Sequence, residues 1–257
     1  MRGVKIALIA ILSGFILVLI GGMLWGMSRW GSLAGNSLLT ELGQSKLLKT
    51  TTLDVVGMER LKIDYSNTSF DVVFLPSEKD ELIVEEYFNK DVIEEKLALI
   101  ELNGSTLSVK QRHNPGINFG LGNNISGYIK IYLPAKAYAA LTELEVATTG
   151  GDIDIPLWED VEEGSFAMEK VALSSVSGEI TAAYLEGDTI KLASTSGDIT
   201  AGSICGNLTM STTSGRLKVE QVTGETDMKS VSGDIRLGSV IGEIKAGSTS
   251  GDITLTN

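Results

Sequence analysis

The chain has 257 residues, 43% hydrophobic but only 6% aromatic, with 29 glycines against 4 prolines. Many tight turns and few large side chains argue against a globular α/β enzyme and for a repetitive all-β architecture. Net charge is -12, and beyond residue 30 it is 18 basic minus 33 acidic residues, or -15, the wrong sign for a nucleic-acid partner.

Residues 1–5 carry Arg2 and Lys5 and read as a short cytoplasmic tail. Residues 6–28 carry no charge, a run of 23 where a tilted helix needs roughly 20 to cross a bilayer, so one transmembrane helix is expected there. Trp25 and Trp30 stand where interfacial aromatics belong. The basic excess on the N-terminal side sets the N-terminus in the cytoplasm of a cell-membrane protein and the rest outside. The competing reading is a cleaved signal peptide with Ser32-Leu33-Ala34 as the processing site, although the apolar run exceeds the usual 7 to 15 residues. Residues 29–50 read as a juxtamembrane linker whose leucines (Leu38, Leu39, Leu42, Leu47, Leu48) suit a turn or two of amphipathic helix on the membrane surface.

Across residues 51–145 the hydrophobic period becomes two: Leu61, Ile63 and Tyr65; Phe70, Val72 and Phe74; Leu82 and Val84; Leu107 and Val109; Ile129, Ile131 and Leu133. Such alternation marks half-buried strands, and Asn103-Gly104 between two of them is a hairpin signal. This strand-rich part is expected to form irregular coils or a small sheet that caps the N-terminal end of the repeats in residues 146–257. Residues 113–127 form a turn-rich segment too long for a hairpin loop. Its apolar Ile117, Phe119 and Leu121 make it a candidate binding loop, against the plainer reading of an insertion. A second insertion, Pro156 to Lys170, holds Trp158, Phe166 and five acids, and is expected to bulge from one edge.

Residues 146–257 repeat one phrase. Ser-Gly pairs recur at Ser177-Gly178, Ser196-Gly197, Ser214-Gly215, Ser232-Gly233 and Ser250-Gly251, with glycine spacings of 19, 18, 18 and 18. Between them stand Gly187, Gly206, Gly224 and Gly242, so the beat is about nine residues. Two and four places after most of these glycines the residues are apolar, as in Ile199/Ala201, Leu217/Val219, Ile235/Leu237 and Ile253/Leu255. Two such units make one coil, and the expected fold is a β-solenoid of about 18-residue coils stacked ~4.8 Å apart. Ser and Gly at the corners shape turns, and the serine directly before each glycine is expected to satisfy backbone groups there.

The acids directly after these glycines give the sharpest chemical hypothesis. Asp198, Asp234 and Asp252 fall in one column and are candidate Ca²⁺ ligands. Calcium-binding nonapeptides carry Gly-Gly-x-Gly-x-Asp, which no unit here matches, and Arg216 interrupts the column, so turn chemistry is the favoured account. His113 is the only histidine, which leaves no zinc cluster, and the strands offer no paired carboxylates for glycoside chemistry. No catalytic residue, metal or other cofactor is assigned. Cys205, the single cysteine, permits no intramolecular disulfide and reads as a small buried residue.

The Ser-x-Ser-Gly-Asp-Ile repeats, the Leu133-Pro134 phrase after Tyr128-Ile129-Lys130-Ile131-Tyr132 and the single N-terminal apolar run together resemble the bacterial "putative adhesin" family, which includes LiaG-like proteins. The resemblance covers roughly residues 52 to 257 and implies architecture without a catalytic set. The function expected is a non-enzymatic binding or scaffolding module of the cell envelope, with an envelope protein or glycan as partner. The alternatives are an envelope-stress sensor acting through a membrane partner and, less favoured, a polysaccharide-active β-helix enzyme. The last strand, Ile253 to Leu255, is expected to leave an open edge suited to self-association.

Overall fold

The computed structural model describes residues 45–66, 69–112, 126–158 and 168–256. The expected cytoplasmic tail, transmembrane helix and most of the linker lie outside these residues, as do His113 and the loop with Ile117, Phe119 and Leu121. Among the described residues no helix is long and apolar enough to cross a membrane.

The described chain is all-β. In chain order the strands are β1 (Lys46–Asp54), β2 (Arg60–Tyr65), β3 (Phe70–Ser77), β4 (Glu81–Phe88), β5 (Leu99–Asn103), β6 (Thr106–Lys110) and β7 (Gly127–Pro134). After the short helix α1 (Ala135–Ala139) come β8 (Glu143–Thr148), β9 (Ile153–Ile155), β10 (Lys170–Ser174), β11 (Ile180–Ala193) and β12 (Ile199–Thr212). The last are β13 (Leu217–Thr223), β14 (Thr226–Ser230), β15 (Ile235–Ile241), β16 (Ile244–Ser248) and β17 (Ile253–Leu255).

Their pairings define two faces. Face A runs β5, β6, β2, β8, β10, the second half of β11, the second half of β12, β14 and β16. Face B runs β1, β4, β7, β3, β9, the first half of β11, the first half of β12, β13, β15 and β17. From β12 onward, paired residues differ by 18, as in Leu217 with Ile235 and Ile235 with Ile253, which is the solenoid-like stacking of one coil on the next. β11 and β12 each bend from one face to the other, so the described strands form one continuous sheet.

The inward pairs fill the space between the faces. Ile180/Ala182, Ile190/Leu192, Ile199/Ala201, Leu208/Met210, Leu217/Val219 and Ile235/Leu237 are all buried, and each large aliphatic side chain so buried contributes roughly 1.5 to 3 kcal/mol. Face B adds a third inward residue per coil that the nine-residue beat did not reveal: Leu185, Ile204 and Val222. The alternation slips by one between Ala182 and Leu185, which lets the longer strand bend and still point inward. Ile204 thereby takes the core position, and Cys205 is half-buried beside it instead of fully buried.

Several expectations change. Of the two readings of the N-terminal part the pairings fit irregular coils: β2/β3 and β6/β7 are themselves coils of the stack, and they enter out of chain order. β2 and β3 lie between β6/β7 on one side and β8/β9 on the other. The capping is done by antiparallel strands, β4 and β1 on face B and β5 on face A. Lys46 to Thr50, placed in the linker, belong to β1, where Leu48 and Leu53 pack against the core and the strand satisfies the edge of β4. The β5–β6 hairpin turns on Gly104-Ser105, one residue later than Asn103-Gly104, with Gly104 at φ 61°. Trp158 does not bulge outward: it is buried, stacks on Tyr138 with ring centres 3.9 Å apart, and donates its Nε1–H to the Leu133 carbonyl at 3.2 Å.

One charged residue, Glu86, enters this core in phase with Leu82, Val84 and Phe88. It points inward from β4 at 1% exposure and accepts the Ala98 N–H at 2.6 Å, fixing the segment that closes the N-terminal end. Burial pushes its carboxyl upward, opposed by the Ala98 bond and by the charges of Lys49 and Arg112.

Candidate functional site

The corner residues singled out by the repeat are structural, with a redistribution of roles. The hydroxyl that holds each turn sits three places before glycine: Ser175, Ser194, Thr212, Ser230 and Ser248 accept the N–H of Gly178, Gly197, Gly215, Gly233 and Gly251 at 2.8 to 3.1 Å. Ser177, Ser196, Ser214, Ser232 and Ser250, expected to do this, are exposed. The reason is reach, since a side chain one residue before glycine points out of a bend whose interior is backbone. Glycine is required at this corner by close approach: a Cβ there would strike the carbonyl of the glycine one coil earlier. At the opposite corner Gly206, Gly224 and Gly242 also take φ of 135 to 150°.

Two of the three candidate calcium ligands, Asp198 and Asp234, serve backbone as well. Asp198 Oδ1 accepts the Arg216 N–H at 2.6 Å and Asp234 Oδ1 accepts the Asp252 N–H at 3.1 Å, each joining one coil to the next. Asp198 and Asp234 also lie 3.8 and 4.0 Å from the guanidinium groups of Arg216 and Arg236. Asp71 and Asp152 make the same bond to the coils above them. Among the described residues no three His, Cys, Asp or Glu side chains converge to hold a metal ion.

A different group stands out on the outer side of face B, where antiparallel β4 and β7 set Ile83 opposite Tyr132, Glu85 opposite Lys130 and Tyr87 opposite Tyr128. With Ile129, Ile131 and Leu133 turned inward, alternation sends Tyr128, Lys130 and Tyr132 outward. The Tyr87 and Tyr128 rings stack at 4.5 Å with planes 11° apart. Lys130 Nζ lies 5.1 Å from the first ring centre and 5.7 Å from the second. One carboxylate oxygen of Glu85 accepts both the Tyr87 hydroxyl at 2.8 Å and the Tyr132 hydroxyl at 3.2 Å.

These contacts fix the electrostatics. Burial, and then Glu85, raise the pKa values of Tyr87, Tyr128 and Tyr132 above the ordinary phenol value, so all three stay neutral donors. Glu85 and Lys130 offset each other across the strand pair. On this side Tyr87, Lys130 and Tyr132 are half-buried and reach solvent in part, whereas Tyr128 is buried at 5% exposure beneath the stack; Glu85 and Asp71 stand against the one cation Lys130 among these residues. Flanking the cluster are Thr50 and Thr52 of β1 and Asp71, Val73 and Leu75 of β3. Such a face can bind. The sequence carried the signal in the outward phase of Tyr128-x-Lys130-x-Tyr132, but only the β4–β7 pairing brings Glu85 and Tyr87 to it.

Farther along face B, Asp154 faces outward beside Val73 and Thr181. Burial, then the charges of Glu179 and Asp152, push its carboxyl up to about 6. On face A, Lys62 and Lys170 flank Glu143 and Glu145 from the strands on either side. Lys62 lies 3.4 and 2.9 Å from the two carboxylates, Lys170 lies 2.9 Å from Glu143, and Lys170 also pairs with Glu145.

The family profile described as Toastrack DUF4097 matches residues 58–257. No curated protein matches the sequence. Among solved structures, a "putative adhesin" from Bacteroides fragilis NCTC 9343 is 17% identical, with 82% of this chain and 97% of that one covered and a TM-score of 0.39. A "putative cell adhesion protein" from Clostridium sporogenes ATCC 15579 is 13% identical, with 82% and 99% covered and a TM-score of 0.34. A "putative lipid binding protein" from Parabacteroides distasonis ATCC 8503 is 16% identical, with 81% and 96% covered and a TM-score of 0.38.

Proposed function

We propose, from the premise that this chain belongs to the Toastrack DUF4097 family, that it is a non-enzymatic binding module of the bacterial cell envelope that holds a neutral glycan on the outer side of face B. The observation that carries this reading is the cluster of Tyr87, Tyr128 and Tyr132 around Glu85 and Lys130. Sugars offer C–H faces and hydroxyls. Aromatic rings with polar tips match both, and a face that carries Glu85 and Asp71 against Lys130 favours a neutral ligand over an anionic one.

The uncharged run of residues 6–28 supports display of the module from the cell membrane on its outer side, with the N-terminus in the cytoplasm. The test is retention of the full chain, in lipid nanodiscs, on immobilised cell-wall polysaccharide. Retention that drops for Tyr87→Ala and is unchanged for a substitution on face A, such as Lys191→Ala, is the expected result. Equal retention of the two variants, or none for the native chain, sinks the reading.

A further inference from the structure

Residues 89–98, between β4 and β5, form a strap over the N-terminal end of the core. Its middle is exposed: Ile93, Glu94 and Glu95 lie on the surface around a short 3-10 turn, Glu94–Lys96. The backbone bonds there are local, from the Lys96 N–H to the Ile93 carbonyl at 2.9 Å and from the Leu97 N–H to the Glu94 carbonyl at 3.1 Å. The strap enters the core at Leu97 and Ala98, which are buried, and Val92 packs against the core in part.

From Lys90 to Ala98, among the described residues, two polar ties join the strap to the rest of the fold. One is an exposed ion pair, Asp91 with Lys46 at 2.8 Å, of a kind that holds little. The other is the bond from the Ala98 N–H to Glu86 Oε1, closed off from water. Glu86 is the one charged side chain among the described buried residues, and its own bonding is incomplete. Oε2 is also shut from water and has no hydrogen-bond partner among the described residues. A neutral acid fits this arrangement, with Oε1 accepting from Ala98 and the proton on Oε2. An ionised one places charge on an oxygen that neither water nor a donor reaches.

The groups that face Glu86 are Lys49, its register partner on β1, Arg112 shortly after β6, and the Tyr65 hydroxyl of β2. β7 sets apolar Ile129 opposite it, and Glu85 and Tyr87 point to the other side of β4. The two cations act through charge, and burial outweighs them and the Ala98 bond, so the carboxyl is raised from 4.5. Tyr65 is raised above the ordinary phenol value by its own burial and then by Glu86, and stays neutral.

We infer that Glu86 is an acid-closed latch: the strap lies shut on the core while this side chain is neutral, and its ionisation frees residues 89–98 to swing out between β4 and the β5–β6 hairpin. The proton passes to the surrounding water, and the open strap leaves the carboxylate hydrated. The closed state keeps its proton above 4.5, where the open state has given it up. Closure is therefore complete below 4.5 and is lost as pH rises through the raised closed-state value. The opening is local, because β2 and β3 keep their ladders to β8 and β9. It does not rest on the glycan reading.

The experiment is amide hydrogen exchange of the full chain in detergent micelles between about pH 5 and about pH 8, corrected for the intrinsic rate. Leu217, whose N–H donates to the Asp234 carbonyl at 2.9 Å within the repeats, is the internal reference for global opening. Protection of Ala98 relative to Leu217 is expected to fall at least about fivefold across that range. Glu86→Gln keeps an acceptor for Ala98 and has no proton to lose, so its ratio is expected to stay constant. A constant ratio in the native chain, a ratio that rises with pH, or a fall that persists in Glu86→Gln overturns the proposal. A second measurement needs no substitution: the Glu86 carboxyl resonance of isotope-labelled native chain is expected to titrate with the midpoint of the Ala98 change. Different midpoints overturn the proposal as well.

Discussion

Gly233 lies so close over Gly215 that a methyl group on Gly233 would sit well inside van der Waals contact of the Gly215 carbonyl oxygen. The same relationship repeats from Gly178 to Gly251, so the corner of the stack is a column of backbone with no room for side chains.

Gly215→Ala or Gly233→Ala is therefore expected to destabilise the fold by about 3 kcal/mol or more, the upper end of overpacking costs, because backbone cannot move aside without parting two coils. Gly247→Ala meets nothing within 4 Å and should stay within about 0.5 kcal/mol of native. Urea denaturation of the three variants decides it.

The turn hydroxyls separate two serines of one phrase. Ser194→Ala and Ser230→Ala remove the acceptor of a corner N–H and should each cost about 1 kcal/mol. Ser196→Ala and Ser232→Ala touch exposed side chains and should change stability by less than about 0.5 kcal/mol. Equal losses in both pairs would place the support of the turn elsewhere.

Asp154 predicts a pH dependence. Its carboxyl is raised from 3.8 to about 6 by burial and by Glu179 and Asp152, so the folded state holds a proton that the unfolded state gives up. Stability from this group is full below about 3.8, declines as pH rises through about 6, and stays lowered above it. Asp154→Asn should raise stability at pH 7.5 by up to about 3 kcal/mol, with the gain gone near pH 4. Melting temperatures measured across that range check both sign and window.

The Glu145 carboxylate runs the other way. Its hydrogen bond from Lys170 is the largest influence, joined by Lys62, and together they hold it down to about 2 from 4.5. Its contribution is full above pH 4.5 and is lost as pH falls toward 2. Because these side chains are partly exposed, Glu145→Gln should cost only about 1 kcal/mol or less, and the loss should shrink in high salt.

Tyr87→Ala removes one ring of the stacked pair and a donor to Glu85. Glycan retention should fall roughly tenfold, in line with about 1.5 kcal/mol for an aromatic contact, while Tyr87→Phe keeps the ring and should lose less. Isothermal titration of the three proteins with soluble polysaccharide fragments measures the difference.

Much of the fold was legible because the sequence repeats its corners. Glycine spacing gave the 18-residue offset that the strand pairings show, and alternation identified Leu61, Val72, Ile131 and the repeat pairs as inward. Local patterns could not order the first coils, since nothing within residues 60–65 says that they pair with both 106–110 and 143–148. The same limit hid Glu86, whose inward place on β4 follows from phase but whose survival there depends on the Ala98 N–H supplied twelve residues on. The tyrosine face was half visible: β7 showed its outward phase, and the antiparallel partner that completes it is a long-range choice.

That out-of-order entry has a kinetic side. Coils from β12 onward can zip one after another, each closing a loop of 18 residues, a small entropic step that later coils repeat. Residues 60–77 face a different task, because one neighbour lies some 46 residues ahead (Leu61 to Leu107) and the other 83 (Leu61 to Leu144). Though made first, they are flanked on both sides only after Leu144 has been synthesised. The early part of the chain is consequently the slow part, and it waits unsheltered while the repeats behind it take shape.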